Sequence, residues 1–283
     1  MLEITLSFLV SLVFCTLGTT IGYHRLLAHR SFRCPKAVEY FFVGCGYLAF
    51  QTSPIWWASM HRIHHKYSDQ EKDPHAILHG WRRSVYGWIF DERYPEYLDK
   101  NLVSPDLVND PIYRFLDCNG DVQKGHLLNG FLNFMCRFAM VPFFGWKIAL
   151  GSLLAGLAMQ QITLWFNLVS HMPQWGYKNY DTADDSTNNA FLTVLTLGEG
   201  LHNNHHAVPG SANNSMKKGE IDIGWWIING MRKVGLVSWA NDGFAHRLES
   251  NLRISPNSTD IKRFGPIPVP SEQMQEEPVL VNS

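Results

Sequence analysis

Apolar residues are bunched into long blocks, separated by stretches rich in histidine and arginine. The first block, Met1 to Gly22, is apolar apart from Glu3 and small hydroxyl residues. It has about the 20 residues that a membrane-spanning helix needs. A signal peptide would place basic residues before the apolar run and a small-residue cleavage site after it, a pattern that does not fit this block. A second block runs from Val38 to Trp57. Two more, 130–144 and 148–169, are joined by Gly145-Trp146-Lys147 and read as a helical hairpin. The pattern predicts an all-α integral membrane protein, with transmembrane helices at about 1–22, 130–144 and 148–169. A helical cytoplasmic domain caps them, and 1–254 forms one membrane domain. Residues 255–283 are rich in Pro, Ser, Asn and Glu without apolar periodicity, and are expected to be a disordered tail.

Charge sets the sides. No Lys or Arg precedes Arg25, whereas Arg25, Arg30, Arg33, Lys36, Arg62, Lys66 and Lys72 follow closely. By the positive-inside rule, the segment after the first helix and everything after Val169 is cytoplasmic, and Met1 faces away from the cytoplasm. A formal net charge of −1 argues against a nucleic-acid partner. The five cysteines show no CxxC pairing and read as buried thiols in a reducing compartment.

The histidines change the picture. They form His24-x4-His29, His61-x2-His64-His65 and His202-x2-His205-His206. On an α-helix, positions i, i+3 and i+4 fall within an arc of about 100°, so each triplet aims three imidazoles from one face. Such a fan suits two neighbouring metal ions. At i and i+5 the first pair is about 140° apart on a straight helix, so both rings reach one site only if the helix ends or bends between them. Asn167 and His171 share a face at the end of the last apolar block. All clusters must lie on one side of the membrane to share a site, so the Val38–Trp57 stretch is expected to lie in the interface or dip in and return. Imidazole suits Zn, Cu, Fe and Ni, but nine nitrogens exceed what one tetrahedral zinc needs.

At these residues the chain resembles the membrane fatty acyl desaturase family, in its Δ9 stearoyl-CoA or acyl-lipid branch. The resemblance rests on Gly22-Tyr23-His24-Arg25-Leu26-Leu27-Ala28-His29-Arg30-Ser31, His61-Arg62-Ile63-His64-His65-Lys66-Tyr67-Ser68, Asp73-Pro74-His75, Asn167-x3-His171 and the run Gly198 to His206. It implies two Fe2+ ions held by His24, His29, His61, His64, His65, His171, His202, His205 and His206, with Asn167 acting through a water. It implies Asp73 and Glu199 as residues that orient ligands, and Trp56, Trp57 and Trp165 as lining of an acyl tunnel. His75, His79, His126 and His246 are not expected to be ligands. The implied reaction uses O2 and two electrons to place a cis double bond, at Δ9, in a saturated acyl chain carried by a lipid or by coenzyme A. Soluble di-iron desaturases use Glu and Glu-x-x-His motifs instead, and this chain does not carry that pair. The family plan has a full membrane hairpin before the first cluster; 23 residues precede His24 here, room for one helix. No His-Pro-Gly-Gly occurs, so electrons are expected from a separate donor, ferredoxin or cytochrome b5. Arg82, Arg83, Lys217, Lys218, Arg232 and Lys233 are candidates to dock it.

Two other functions fit parts of the pattern. A di-iron membrane hydroxylase would insert oxygen, but that group tends to have three residues between the first two histidines. A metal-binding or transport protein would place its ligands at mid-membrane depth, whereas these clusters lie outside the apolar runs.

Overall fold

A computed structural model describes residues 1–90 and 105–243; His246 and the tail expected at 255–283 lie outside the described residues. Helix α1 (Leu2–Leu17) continues without a break into a π-wound segment, Gly18–Ala28. The sequence pattern required the helix to end or bend between His24 and His29; it runs past His24 with altered winding and ends at Ala28, with His29 as its C-terminal cap.

The other main helices are α2 (Lys36–Tyr47), α3 (Pro54–Tyr67), α4 (Trp81–Val85), α5 (Pro105–Val108), α6 (Pro111–Leu116), α7 (Val122–Phe144), α8 (Trp146–Ser170), α9 (Ala190–Leu195), α10 (His202–Ala207) and α11 (Ile223–Lys233). Among the described residues, three helices are long and apolar enough to cross a membrane: Leu2–Ala28, Val122–Phe144 and Trp146–Ser170. Each extends beyond its apolar block, because flanking polar residues such as Lys124 stay helical. Gly145 alone reverses the chain between α7 and α8, at φ 83°, so Trp146 is already helical rather than part of a three-residue turn.

Small residues let α1 lie against α8. A Cβ on Gly151 would sit 2.6 Å from the Ile4 carbonyl oxygen. The Ser7 hydroxyl donates to the Ile148 carbonyl at 2.7 Å. The outward faces carry Leu6, Leu9, Val13, Phe131 and Phe138, all exposed and suited to lipid.

Helix α2 has 12 residues, about 18 Å of rise, well short of a bilayer core of about 30 Å. It ends at Tyr47, and the chain turns through Phe50 (φ 57°) and Thr52 (φ 63°) into α3. Ser53 caps α3 by accepting the Trp56 backbone N–H, with Pro54 in the first turn. Arg62 of α3 donates to the carbonyls of Leu27 and Ala28, at 2.6 and 2.8 Å, and so satisfies the end of the π segment. Beneath that segment a core of Ile21, Tyr23, Phe32, Ile55, Tyr113 and Ile228 holds α3, α6 and α11 to it. An antiparallel pair, β1 (Phe32–Arg33) with β2 (Trp239–Ala240), ties the chain just beyond His29 to a segment after α11.

Candidate metal centre

The π winding decides how the first histidine pair works. The His29 amide donates to the His24 carbonyl at 3.1 Å, an i→i+5 bond. In a helix bonded this way, residues five apart lie nearly one above the other. The two rings therefore meet edge to face with centroids 4.7 Å apart. In α-helical winding they would diverge.

Nine imidazoles converge in two adjacent groups. His24, His29, His61, His65 and His205 form one; His64, His171, His202 and His206 form the other. In the first, Nε2 atoms lie 2.8 Å (His29 to His61), 3.0 Å (His65 to His61), 2.9 Å (His205 to His65) and 3.1 Å (His24 to His205) apart. In the second, His171 to His202 is 3.1 Å and His64 to His206 is 3.3 Å. Ligand atoms about 2.0–2.1 Å from one ion stand roughly 3 Å from one another, so this spacing fits nitrogens around a metal. Each triplet serves both groups: His61 and His65 face one and His64 the other, just as His205 faces one and His202 and His206 the other.

The opposite ring nitrogens are held by carboxylates. His24 Nδ1 lies 2.7 Å from Glu199, His64 Nδ1 3.0 Å from Asp73, His171 Nδ1 3.0 Å from Asp69 and His206 Nδ1 2.7 Å from Asp184. At His64, His171 and His206 the carboxylate accepts the Nδ1 proton and leaves the Nε2 lone pair free for a metal, while Glu199 stands beside His24 as an ion-pair contact without hydrogen-bond geometry. Burial, reinforced by neighbouring imidazoles, holds His29, His61, His65, His202 and His205 well below the usual histidine range. They are neutral at neutral pH, as metal ligation requires. His64 is raised instead, because Asp73 outweighs its burial.

Two of these carboxylates, Asp69 and Asp184, carry no spacing signal in the sequence. Asp69 follows the second triplet at φ 60° and also accepts the Asp185 amide at 2.7 Å. Asp184 stands in the polar run Asp181 to Asp185. Only folding brings either one to a ring.

Short helix α10 is held from behind. Asn203 accepts the amides of Asn179 and Tyr180, at 2.7 and 2.8 Å. Asn204 donates to Glu220 at 2.8 Å and accepts from Asn179 and Asn188. The residues between His202 and His205 thus lock the loops while the histidines face the site. Glu199 is fixed by Arg25, whose Nε donates to it at 2.9 Å and whose Nη1 reaches Asp222 at 3.0 Å.

Two clefts open onto the histidines. One is lined by Thr20, His24, Trp57, Phe166, Asn167 and His202 among others. The other is lined by Phe50, Trp56, Met60, His75, Trp88 and Leu164 among others. They share Trp57, His61, Thr163 and Asn167. Trp56 and Trp57 line these clefts, whereas Trp165 is 41 % exposed and stacks on Trp81. His75 lies against the His64 ring at 4.3 Å, and burial lowers it to about 3. Its Nδ1 lies 3.5 Å from Asp73. His79 contacts the Asp73 carbonyl, and His126 contacts its own helix at Val122 and the Trp56 ring.

The family model described as fatty acid desaturase matches residues 4–218. The chain is 36 % identical over 223 residues to the sn-1 stearoyl-lipid 9-desaturase of Anabaena variabilis, covering 78 % of each. It is 38 % identical over 225 residues to Delta-9 acyl-lipid desaturase 1 of Arabidopsis thaliana, covering 78 % of this chain and 70 % of that one. It is 38 % identical over 224 residues to the acyl-CoA C20 Delta5-desaturase of Anemone leveillei, covering 78 % and 68 %. With its paired histidine groups and apolar helices, the chain belongs to the fatty acid desaturase family, oxygen-dependent oxidoreductases of lipid metabolism.

Proposed function

We propose that this protein places a cis double bond at Δ9 of a saturated acyl chain held by a membrane glycerolipid. The reaction consumes O2 and two electrons from a separate ferredoxin or cytochrome b5 donor, at a di-iron site on the cytoplasmic side of the membrane. One observation carries the reading: a single cleft wall contains His24 and His61 from one histidine group and His202 from the other. A chain lying there meets both groups at once.

The nine histidines are the iron ligands, and Asn167, which lines both clefts, is placed to hold a water beside them. An iron pair held by these residues would supply the oxidising power for O2-dependent removal of two hydrogens from adjacent methylenes, the two donor electrons and two protons completing the reduction of O2 to two waters. The residues of this chain do the rest. Glu199, Asp73, Asp69 and Asp184 hold the rings in register. Trp57, stacked on His61 with centroids 5.1 Å apart, forms the apolar wall against which the reacting carbons rest. The linings of Phe50, Met60, Trp88, Leu164 and Phe166 exclude water and fix the orientation of the chain.

The choice of carrier rests on Ser59 and Met60, just before the second triplet, and Ala76 to Leu78, after Asp73-Pro74-His75. Ser59 and Met60 are buried, and Met60 lines a cleft, so neither offers a cation to a phosphate. The choice of Δ9 follows the Anabaena and Arabidopsis relatives by name; the Anemone relative acts at Δ5.

Expression in a host with a simple lipid profile, followed by analysis of fatty acid methyl esters, tests the function. A new Δ9 monoene supports it. A hydroxylated chain, or an unchanged profile in cells that accumulate the iron-loaded protein, overturns it.

A further inference from the structure

Three polar side chains line one face of membrane helix α7, at Asn129, Asn133 and Arg137, spaced i, i+4 and i+8. All are buried: 2 %, 0 % and 5 % exposed. Arg137 has no carboxylate within ion-pair distance among the described residues. A cation in a spanning helix is costly, and its presence points to a task. The iron site does not use it.

The task is visible in its partners. Asn129 and Asn133 both donate to the Tyr47 carbonyl, at 3.0 and 2.9 Å. Arg137 Nη2 donates to the Leu48 carbonyl at 2.6 Å, and Nη1 to the Asn133 side chain. These carbonyls end α2, where the backbone leaves helical geometry; besides the side chains, the Tyr47 carbonyl accepts the Phe50 amide at 3.2 Å. Helix α9's predecessor in the chain, α8, closes the same spot: a Cβ on Gly156 would lie 2.7 Å from the Leu48 oxygen and 2.8 Å from Arg137 Nη2.

The turn so held is strained and faces the cleft. Phe50 and Thr52 sit at φ 57° and 63°, a region unfavourable to both and sustained only where the surroundings over-determine it. Phe50, Gln51 and Thr52 all line the cleft that holds Trp56, Met60 and Trp88. Arg137 lies over the Phe50 ring at 5.5 Å. Tyr23 donates to the Thr52 carbonyl at 2.8 Å, one residue before His24, and Trp57 Nε1 donates to Gln51 at 3.1 Å. One turn therefore connects the membrane ladder to the wall beside the histidines.

We propose that Asn129, Asn133 and Arg137 are positioning residues that lock the turn 48–53 and thereby set which methylenes of the acyl chain meet the metal centre. The inference rests on the desaturase reading, since it assigns the cleft to an acyl chain. Loosening the turn lets Phe50 move and the chain slip along the cleft.

The test compares the full-length wild type with Arg137→Gln, Asn133→Ala and Gly156→Ala in the same host. Double-bond position and chain length are read by mass spectrometry of the methyl esters, alongside iron content and the membrane-bound amount. A rigid apolar pocket discriminates one methylene by about tenfold or more. The variants are expected to lose most of that preference, yielding neighbouring positional isomers or off-length products at several-fold higher share, with iron per chain unchanged. Gly156→Ala leaves every polar side chain in place but crowds the Arg137–Leu48 hydrogen bond itself, so it reports even where Arg137→Gln fails to accumulate. A product pattern identical to wild type, at whatever yield, overturns the inference and leaves the desaturase reading intact. A wild type that makes no double bond overturns both.

Discussion

Replacing Asp184 by Asn changes one atom in the support of His206 and should cost most of the affinity for one ion. The carboxylate accepts from His206 Nδ1 at 2.7 Å through one oxygen, while the other accepts the Ser186 amide at 3.1 Å. Burial alone would push the Asp184 carboxyl up, but His206 outweighs it and holds it far below the usual carboxylate range. Asparagine has a single acceptor oxygen. Turned to His206, it leaves the Ser186 amide facing an NH2. Turned the other way, it forces the imidazole proton onto Nε2, the atom that faces the second histidine group. Either outcome forfeits a hydrogen bond to a charged acceptor, about 1.5–3 kcal/mol. That agrees with the roughly 10–100-fold loss of metal affinity common when such supports are removed. Purified protein would be equilibrated with graded concentrations of a ferrous chelator, and iron per chain measured. The expected result is a shift of that size for the ion at His64, His171, His202 and His206, with the other ion held as in wild type. Thermal unfolding of the metal-free proteins controls for damage to the loop. An Asn variant that keeps both ions at the wild-type chelator midpoint would refute the reasoning.

Other expectations follow from the same geometry. His65→Ala should abolish desaturation and release iron while the protein still inserts in membranes, whereas His126→Ala should leave iron content intact; metal analysis of both decides. Gly22→Ala places a Cβ 2.8 Å from the Phe42 carbonyl, so it should destabilise by about 1–3 kcal/mol and weaken iron binding, read by unfolding and iron content. Burial raises the Asp117 carboxyl to about 6, against Ser53, which donates to it. Its contribution to stability is fully present below the unfolded value and lost as pH rises through about 6, so Asp117→Asn should raise the melting temperature at about pH 8 but hardly at about pH 4. Offered separately with reductant, stearoyl-bearing glycerolipid should be desaturated and stearoyl-CoA should not; the reverse result would remove the lipid-carrier assignment.

Helical spacing made the two triplets legible, because three imidazoles on one face are a property of local winding. Apolar blocks likewise announced α7 and α8, though not their polar extensions. The geometry of His24 and His29 was not legible: a straight α-helix puts them apart, and the π winding that joins them is fixed by packing of Gly18 and Gly22 against α2. Asp69 and Asp184 were missed for another reason. Each reaches its histidine across a loop closure, and isolated acidic residues in polar runs look alike in sequence.

The pairing of Phe32–Arg33 with Trp239–Ala240 bears on how the protein is made. His24 and His29 leave the ribosome early, yet their partner His205 and the strand that fastens their flank come nearly last. At about 5–20 residues per second, the first imidazoles wait on the order of ten to forty seconds before a closed site can exist. On the desaturase proposal, the early histidines form only part of the ligand set during synthesis, and a metal centre can close only once the late segment emerges.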